Sequence, residues 1–177
     1  EQVKERYPIS DAFMHAAKQD GQPFNGDYNN EEQTGFGYYQ VAQRSGRRWS
    51  VVDGYLNPAR RRPNLTIETH AHVLRLELKG TRCTGITYRQ HGKEITVNAT
   101  QDVILCAGAI QSPQILELSG IGRPDVLEKV GITVKHRLDG VGENYIDHFA
   151  TRMNWKLKNA ITLNEMARGW RLGMAVV

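Results

Sequence analysis

DVILCAGAIQSPQILELSGIG, residues Asp102 to Gly122, is the stretch of sequence that decides the fold of this chain. It opens with Val103 to Cys106, a short continuous apolar run typical of a strand buried on both faces of a sheet. The run ends at Ala107-Gly108, where a glycine allows a sharp turn and leaves no side chain between the backbone and a ligand. The sequence therefore predicts a buried strand followed directly by a tight turn.

A short helix is predicted after this turn. Ser112 fits the helix N-cap, and Pro113 fits the first helical position. Gly120 and Gly122 predict the end of the helix. A strand that leads into a tight turn beside a helix start is a common binding place for a cofactor or phosphate in α/β proteins, although this pattern does not name the ligand.

The same residues carry a longer motif, GA-x-x-SP-x-IL-x-x-SGIG, from Gly108 to Gly122. It resembles a signature of the glucose-methanol-choline family of FAD-dependent alcohol oxidoreductases. The segment VGENYIDH, Val141 to His148, resembles that family's VGxNLxDH, with Tyr145-Ile146 in place of the usual Leu-Gln pair. The resemblance covers nearly the whole chain and is closest to the choline-dehydrogenase-like branch.

This resemblance implies an α/β fold with α+β elements. The chain would form part of an FAD-binding Rossmann-like domain with a β-meander, plus pieces of a mainly antiparallel substrate domain. The implied division is a substrate-side or cap segment at 1–62, an FAD-binding segment at 63–148 and the start of a substrate-domain segment at 149–177. Because the sequence begins with Glu1 and ends in an apolar stretch without a stop signal, we expect an internal piece of a longer chain.

The resemblance also implies which residues would contact FAD. The backbone of Val73 would bind the adenine, and Ala107 and Gly108 would lie beside the adenosine half. Asn144, Asp147 and His148 would lie where the FAD and substrate domains meet. Each has a simpler alternative: an ordinary strand residue, a plain strand-to-helix turn, or side chains that fix a turn through their own backbone.

The implied function is oxidation of a CH–OH group. A primary alcohol such as choline would become an aldehyde, with hydride passing to the flavin and electrons then to quinone or oxygen. The family's pyrophosphate-binding G-x-G-x-x-G and its C-terminal His-His or His-Asn pair, which removes the alcohol proton, are absent from this sequence, so no catalytic residue is assigned. We therefore expect the 177-residue chain alone to be inactive. The alternative is a non-catalytic FAD-binding or scaffold piece.

Composition narrows the class of protein. Hydrophobic residues make up 40% and charged residues 24%, which is typical of a soluble globular protein. No apolar run approaches the roughly 18 residues of a membrane helix. We expect a cytoplasmic protein, with membrane association of the whole protein left open. The net charge is +4, and Arg47-Arg48 and Arg60 to Arg62 are interpreted as solvated loops because no nucleic-acid motif accompanies them.

Other chemistries are less favoured. Cys83 and Cys106 lack a CxxC partner, so two reduced core thiols are preferred over a disulfide or a zinc site. His70 and His72 could share a strand face and bind a metal, but no third ligand lies nearby. Ser119 with Asp147-His148 would resemble a hydrolase triad, but the G-x-S-x-G elbow is missing.

Hydrophobic periodicity and turn residues predict the other elements. Three strands joined by turns at 79–81 and 91–93 form a β-meander, and its first strand has a bulge or break near His70 to His72 because the apolar parity slips there. The remaining predicted helices are Ile9–Gln19 (capped by Ser10), Val51–Leu56 (capped by Ser50), Pro124–Val130 and Asn164–Val177. The remaining predicted strands are Phe36–Gln43, Leu65–Ala71, Ile132–Val134 and Thr151–Lys158.

Overall fold

The computed structural model describes residues 2–4, 6–151 and 153–168. The chain divides into two compact units, which we call unit one (Glu1–Leu65 with Arg152–Val177) and unit two (Thr66–Thr151). All six residues that the resemblance links to FAD belong to unit two. The mixed helix and strand content confirms the predicted α/β class with α+β elements.

Unit one begins with helix α1, Pro8–Gln19, as predicted. Its N-cap is Tyr7 and not Ser10, because Pro8 occupies the first turn, where its missing N–H costs nothing. The other helical elements of this unit are a π-helical turn Val52–Leu56, helix α2 Asn57–Ala59 and, near the chain end, helix α5 Leu163–Met166. Residues 169–177 of the last predicted helix lie outside the described residues.

The predicted cap at Ser50 is wrong, because the π-helical turn has Val51 as its N-cap and no side-chain cap hydrogen bond. Ser50 instead donates to a residue of the first turn. Its backbone N–H and its hydroxyl both donate to Oδ2 of Asp53, at 2.9 and 2.7 Å. Both donors of Ser50 are satisfied by the one carboxylate, and these hydrogen bonds lower the pKa of the Asp53 carboxyl. The helical path continues through Asn57-Pro58 instead of ending there.

The predicted strand Phe36–Gln43 is wrong. Within the described residues, this segment makes isolated bridges at Phe36 and Gln40, and ordered pairing begins at the short hairpin of β1, Gln43–Arg44, and β2, Arg47–Arg48. Its aromatic side chains pack in pairs instead, with the rings of Phe13 and Phe36 separated by 5.5 Å between centroids. The aromatic content that favoured a strand serves helix packing here.

The meander predicted for unit two is confirmed. Strands β3 His72–Lys79, β4 Arg82–Gln90 and β5 Lys93–Asn98 form an antiparallel sheet in the order β3-β4-β5. The predicted strand Leu65–Ala71 is not formed among the described residues. His70 has a left-handed φ of +56°, which interrupts the extended backbone that a strand needs. The pairing of β3 with β4 shifts register at two places, between Val73 and Arg75 and between Glu77 and Leu78, both later than the predicted position.

Helix α3, Gly108–Leu118, packs against β3 and forms the core of unit two. Ser119, which is 1% exposed, joins them: its hydroxyl accepts the Leu76 N–H at 2.7 Å and donates to the Ile115 carbonyl at 2.5 Å. The buried apolar side chains around this junction are Leu76, Tyr88, Ile115, Leu127 and Val141.

Two details of the decisive stretch are wrong. Val103 to Cys106 pairs with no strand in the described part of the chain, and Ile104 is 84% exposed. A strand buried on both faces needs neighbours on both sides, and the described residues supply none there. Cys106 is accordingly exposed rather than a core thiol, and both cysteines are free. The predicted cap at Ser112 is also wrong: α3 begins at Gly108 with Ala107 as its N-cap, and Pro113 lies inside the helix. The Ser112 hydroxyl accepts the Ala107 N–H at 3.1 Å.

The end of unit two is partly as predicted. Helix α4, Pro124–Lys129, is confirmed, but the predicted strand Ile132–Val134 is wrong. Instead β6, Ile121–Gly122, pairs in parallel with β7, His136–Arg137. The predicted strand Thr151–Lys158 is also wrong for its described residues, with Met153 and Trp155 strongly exposed.

Candidate functional site

The site is built on the start of helix α3. Ala107 is the N-cap and Gly108, with a φ of +88°, is the first helical residue. Among the described atoms, nothing lies within 4 Å of the place where a Cβ on Gly108 would be. The glycine is therefore required by its left-handed backbone, and the space beside it is open to a ligand. The eleven-residue helix directs its positive dipole end and its first N–H groups toward this space.

A cleft runs between this helix and the turn that contains the second family-like motif. It has a volume of ≈ 560 Å³, within the range of about 300 to 1,000 Å³ that small-molecule sites usually occupy. Residues of α3 form one wall, and residues Gly142 to Ile146 form the other. The helix residues that line it are Ala109, Ile110, Pro113, Gln114 and Glu117.

The second wall has an unusual backbone. Gly142 and Asn144 both have left-handed φ angles, +76° and +56°. A Cβ on Gly142 would lie 3.0 Å from Oε1 of Glu117, so the turn sits close against helix α3. Asn is one of the few non-glycine residues that tolerates this conformation, because its short polar side chain can bond locally.

Charged side chains fix the outer side of this turn. The Arg123 guanidinium donates to both oxygens of Asp125, at 3.1 and 2.7 Å, and to Oε1 of Glu143 at 2.8 Å. These hydrogen bonds raise the pKa of Arg123 and lower the pKa of the Asp125 carboxyl. A second ion pair, between Arg137 and Asp139, lies on the same face, but its hydrogen bonds join only these two residues and do not reach the turn. The Arg137 guanidinium lowers the pKa of the Asp139 carboxyl.

The other predicted contacts do not line this cleft in the described structure. Val73 is half-buried on edge strand β3, where the bulge begins. Asp147 accepts the N–H of His148 at 2.7 Å, which is the local turn bond left open as an alternative, and both residues are exposed. Of the six predicted contacts, Asn144 lines the cleft, opposite helix α3. The other five lie outside the lining: Ala107 and Gly108 at the start of α3, and Val73, Asp147 and His148.

The rival chemistries find little support. Ser119 is buried and fully engaged in hydrogen bonds, so it is not placed as a nucleophile. No group of three or more histidine, cysteine or acidic side chains that could hold a metal occurs among the described residues.

Sequence reasoning missed two contacts of the site. These are the approach of Glu117 to Gly142 and the ion pair of Arg123 with Glu143. Both contacts join positions at least twenty residues apart. In the sequence they are visible only as opposite charges, in Arg123 and Glu143, and as a small residue, Gly142, and neither feature identifies its partner. The fold is what brings them together.

Unit one has a cleft of its own, with a volume of ≈ 830 Å³. Its walls are mainly apolar and aromatic, and the guanidinium of Arg6 lies 4.5 Å from the ring centroid of Tyr38. The aromatic residues that line the cleft are Tyr7, Phe13, Tyr28, Phe36, Tyr38 and Tyr39.

Unit two thus combines a three-stranded meander with a glycine-started helix that lines a cleft. Residues 1–150 match the family model described as GMC oxidoreductase. The chain belongs to the GMC oxidoreductase family, and the resemblance noted in the sequence is thereby confirmed.

Individual relatives agree with this family. The chain is 45% identical over 153 residues to oxygen-dependent choline dehydrogenase 1 of Chromohalobacter salexigens, covering 86% of this chain and 27% of that protein. It is 40% identical over 168 residues to the mitochondrial choline dehydrogenase of Homo sapiens, covering 95% and 28%. The crystal structure of pyridoxine 4-oxidase from Mesorbium loti matches with a TM-score of 0.72 and 34% identity, covering 77% of this chain and 27% of that one. The chain therefore spans under a third of the length of these proteins.

Proposed function

We propose that the whole protein is an FAD-dependent oxidoreductase that acts on CH–OH groups, and that this chain supplies part of its FAD site. One observation carries the proposal: the two family-like motifs, at Gly108–Gly122 and Val141–His148, face each other across one cleft. Two motifs that are separate in sequence but line one cleft of this size could contact a common ligand.

The residues present fit a dinucleotide cofactor. The open space at Gly108 admits a ligand against the backbone, and the start of α3 favours negative charge. In this proposal Ala107, Gly108 and Val73 hold the adenosine half, and Asn144 lies nearer the domain junction with Asp147 and His148. Bound flavin supplies a hydride acceptor, while this chain's residues bind and orient the cofactor.

The proposed substrate is a primary alcohol such as choline, oxidised to an aldehyde, and the proposed acceptor is quinone or oxygen. Two curated relatives that carry the name choline dehydrogenase support this choice. The aromatic cleft of unit one also supports it, because aromatic ring faces attract quaternary ammonium groups. In this reading residues 1–62 serve the substrate side.

A non-catalytic FAD-binding or scaffold role is the second candidate. A purified whole protein that is yellow but reduces no dye with any alcohol would select it. No described helix is long and apolar enough to cross a membrane. We propose a cytoplasmic location, with membrane association to be measured by fractionation.

Gly108→Val in the whole protein tests the proposal. The matched control is Gly131→Val, because Gly131 also has a left-handed φ, +75°, and open space where its Cβ would be, but ends α4 away from the cleft. Both variants strain the backbone alike, and only Gly108→Val is expected to purify without flavin. Full flavin occupancy in Gly108→Val would show that Gly108 does not face the cofactor.

A further inference from the structure

We infer that Arg123 is a positioning residue: through Glu143 it holds the left-handed turn Gly142–Asn144 against helix α3 and so sets the affinity for FAD. This inference rests on the proposed function, because it takes the cleft between α3 and the turn as part of the FAD site. Arg123 itself does not line that cleft in the described structure, so it acts through its neighbours.

Hydrogen bonds to Asp125 fix the direction of the Arg123 side chain, which extends toward the turn. The residue is the N-cap of α4, and its guanidinium bonds Asp125 two residues on through Nε and Nη2. This two-point contact uses the planar fork of arginine and fixes its direction. The remaining nitrogen, Nη1, donates to Glu143 at 2.8 Å across twenty residues of sequence.

Glu143 is the middle residue of the turn that needs support. Its neighbours Gly142 and Asn144 are both left-handed, a conformation that is costly for Asn144. Glu117 closes the inner side of Gly142 and Arg123 restrains the outer side at Glu143. With both restraints present, Asn144 stays in the cleft wall opposite α3.

The size of the effect follows from exposure. The side chains of Arg123 and Glu143 are 38% and 43% exposed, so water and salt screen their attraction. Exposed pairs of this kind change an equilibrium by about two- to fivefold. The effect should shrink as salt is added, which a simple packing defect would not do.

The experiment is a double-mutant cycle in the whole protein. FAD is removed, and its rebinding is titrated by flavin fluorescence at low salt and at about 1 M salt, where the screening length falls to roughly 3 Å. The variants are Arg123→Gln, Glu143→Gln and their combination. The matched control is Arg137→Gln with Asp139→Asn, an ion pair on the same face that makes no bond to the turn. Urea unfolding of each flavin-free variant measures any general loss of stability.

Each single variant should raise the Kd for FAD about two- to fivefold at low salt. The double variant should be no weaker than the weaker single variant, high salt should remove most of the difference, and the control pair should leave the Kd unchanged. Arg123→Lys should fall short of wild type because an ammonium cannot reproduce the two-point bond.

Three results would overturn the inference. They are an unchanged Kd in Arg123→Gln, additive losses in the double variant, or equal losses in the control pair. A wild-type protein that rebinds no FAD would overturn the proposed function itself, and this inference with it.

Discussion

Gly120→Ala should be the most damaging glycine substitution at a helix end in unit two. Gly120 follows α3 with a φ of +84°, and a Cβ there would lie 2.6 Å from the Thr133 carbonyl oxygen. That segment cannot move away freely, because the Gly120 carbonyl accepts the N–H groups of Lys135 and His136 at 2.8 and 3.0 Å. The left-handed backbone of an alanine costs about 1–2 kcal/mol, and each weakened hydrogen bond costs about 1 kcal/mol. A less flexible unfolded chain offsets a small part of this, so the free energy of unfolding should fall by about 2–4 kcal/mol.

Gly131→Ala provides the matched comparison. Gly131 ends α4 with a φ of +75°, and nothing described lies within 4 Å of its would-be Cβ, so it carries the strain without the collision. The whole protein and both variants are unfolded in urea while circular dichroism is recorded. The unfolding midpoints are compared provided that the dependence of the unfolding free energy on urea concentration is the same in all three. Equal midpoints for the two variants would refute the reasoning, because the contact with Thr133 would then have no energetic effect.

Three other outcomes are expected. Ser119→Ala should lower the free energy of unfolding by about 1–3 kcal/mol, because the buried Leu76 N–H loses its acceptor, and a wild-type urea midpoint would contradict this. Asp125 and Asp139 have lowered folded-state pKa values, so their contribution to stability is present above the unfolded pKa of about 3.9 and is lost as pH falls through the lower folded values. Asp125→Asn should therefore weaken the dependence of the thermal unfolding midpoint on pH below pH ~5. A pH dependence equal to that of the wild type would contradict this prediction. The chain of residues 1–177 alone should oxidise no alcohol in a dye-reduction assay, and turnover of choline by it would show that the missing motifs are dispensable.

Local sequence patterns correctly predicted the elements whose stabilising interactions lie between residues close in sequence. The meander was predictable because its strands alternate and its two turns carry Gly80 and Gly92, both left-handed in the structure. Helix α4 was predictable from Pro124 at its start and Gly131 after its end. In each case the deciding interactions lie within a few residues.

Elements that depend on distant partners were not predictable in this way. The apolar run Val103 to Cys106 predicts a buried strand, but burial needs neighbouring strands that the described residues do not supply. The motifs identified Asn144, which lines the cleft, and Gly108, which begins the helix whose later residues form one cleft wall. The motifs did not predict a role for Arg123, because that role depends on a side-chain contact with a residue twenty positions away.

The central claim is that the whole protein binds FAD through this chain. The most direct measurement is to purify the whole protein without added cofactor, denature it, and identify the released nucleotide by chromatography and mass spectrometry. We expect FAD at close to one equivalent per chain. Recovery of NAD alone, or of no nucleotide from protein that also fails to rebind added FAD, would contradict it.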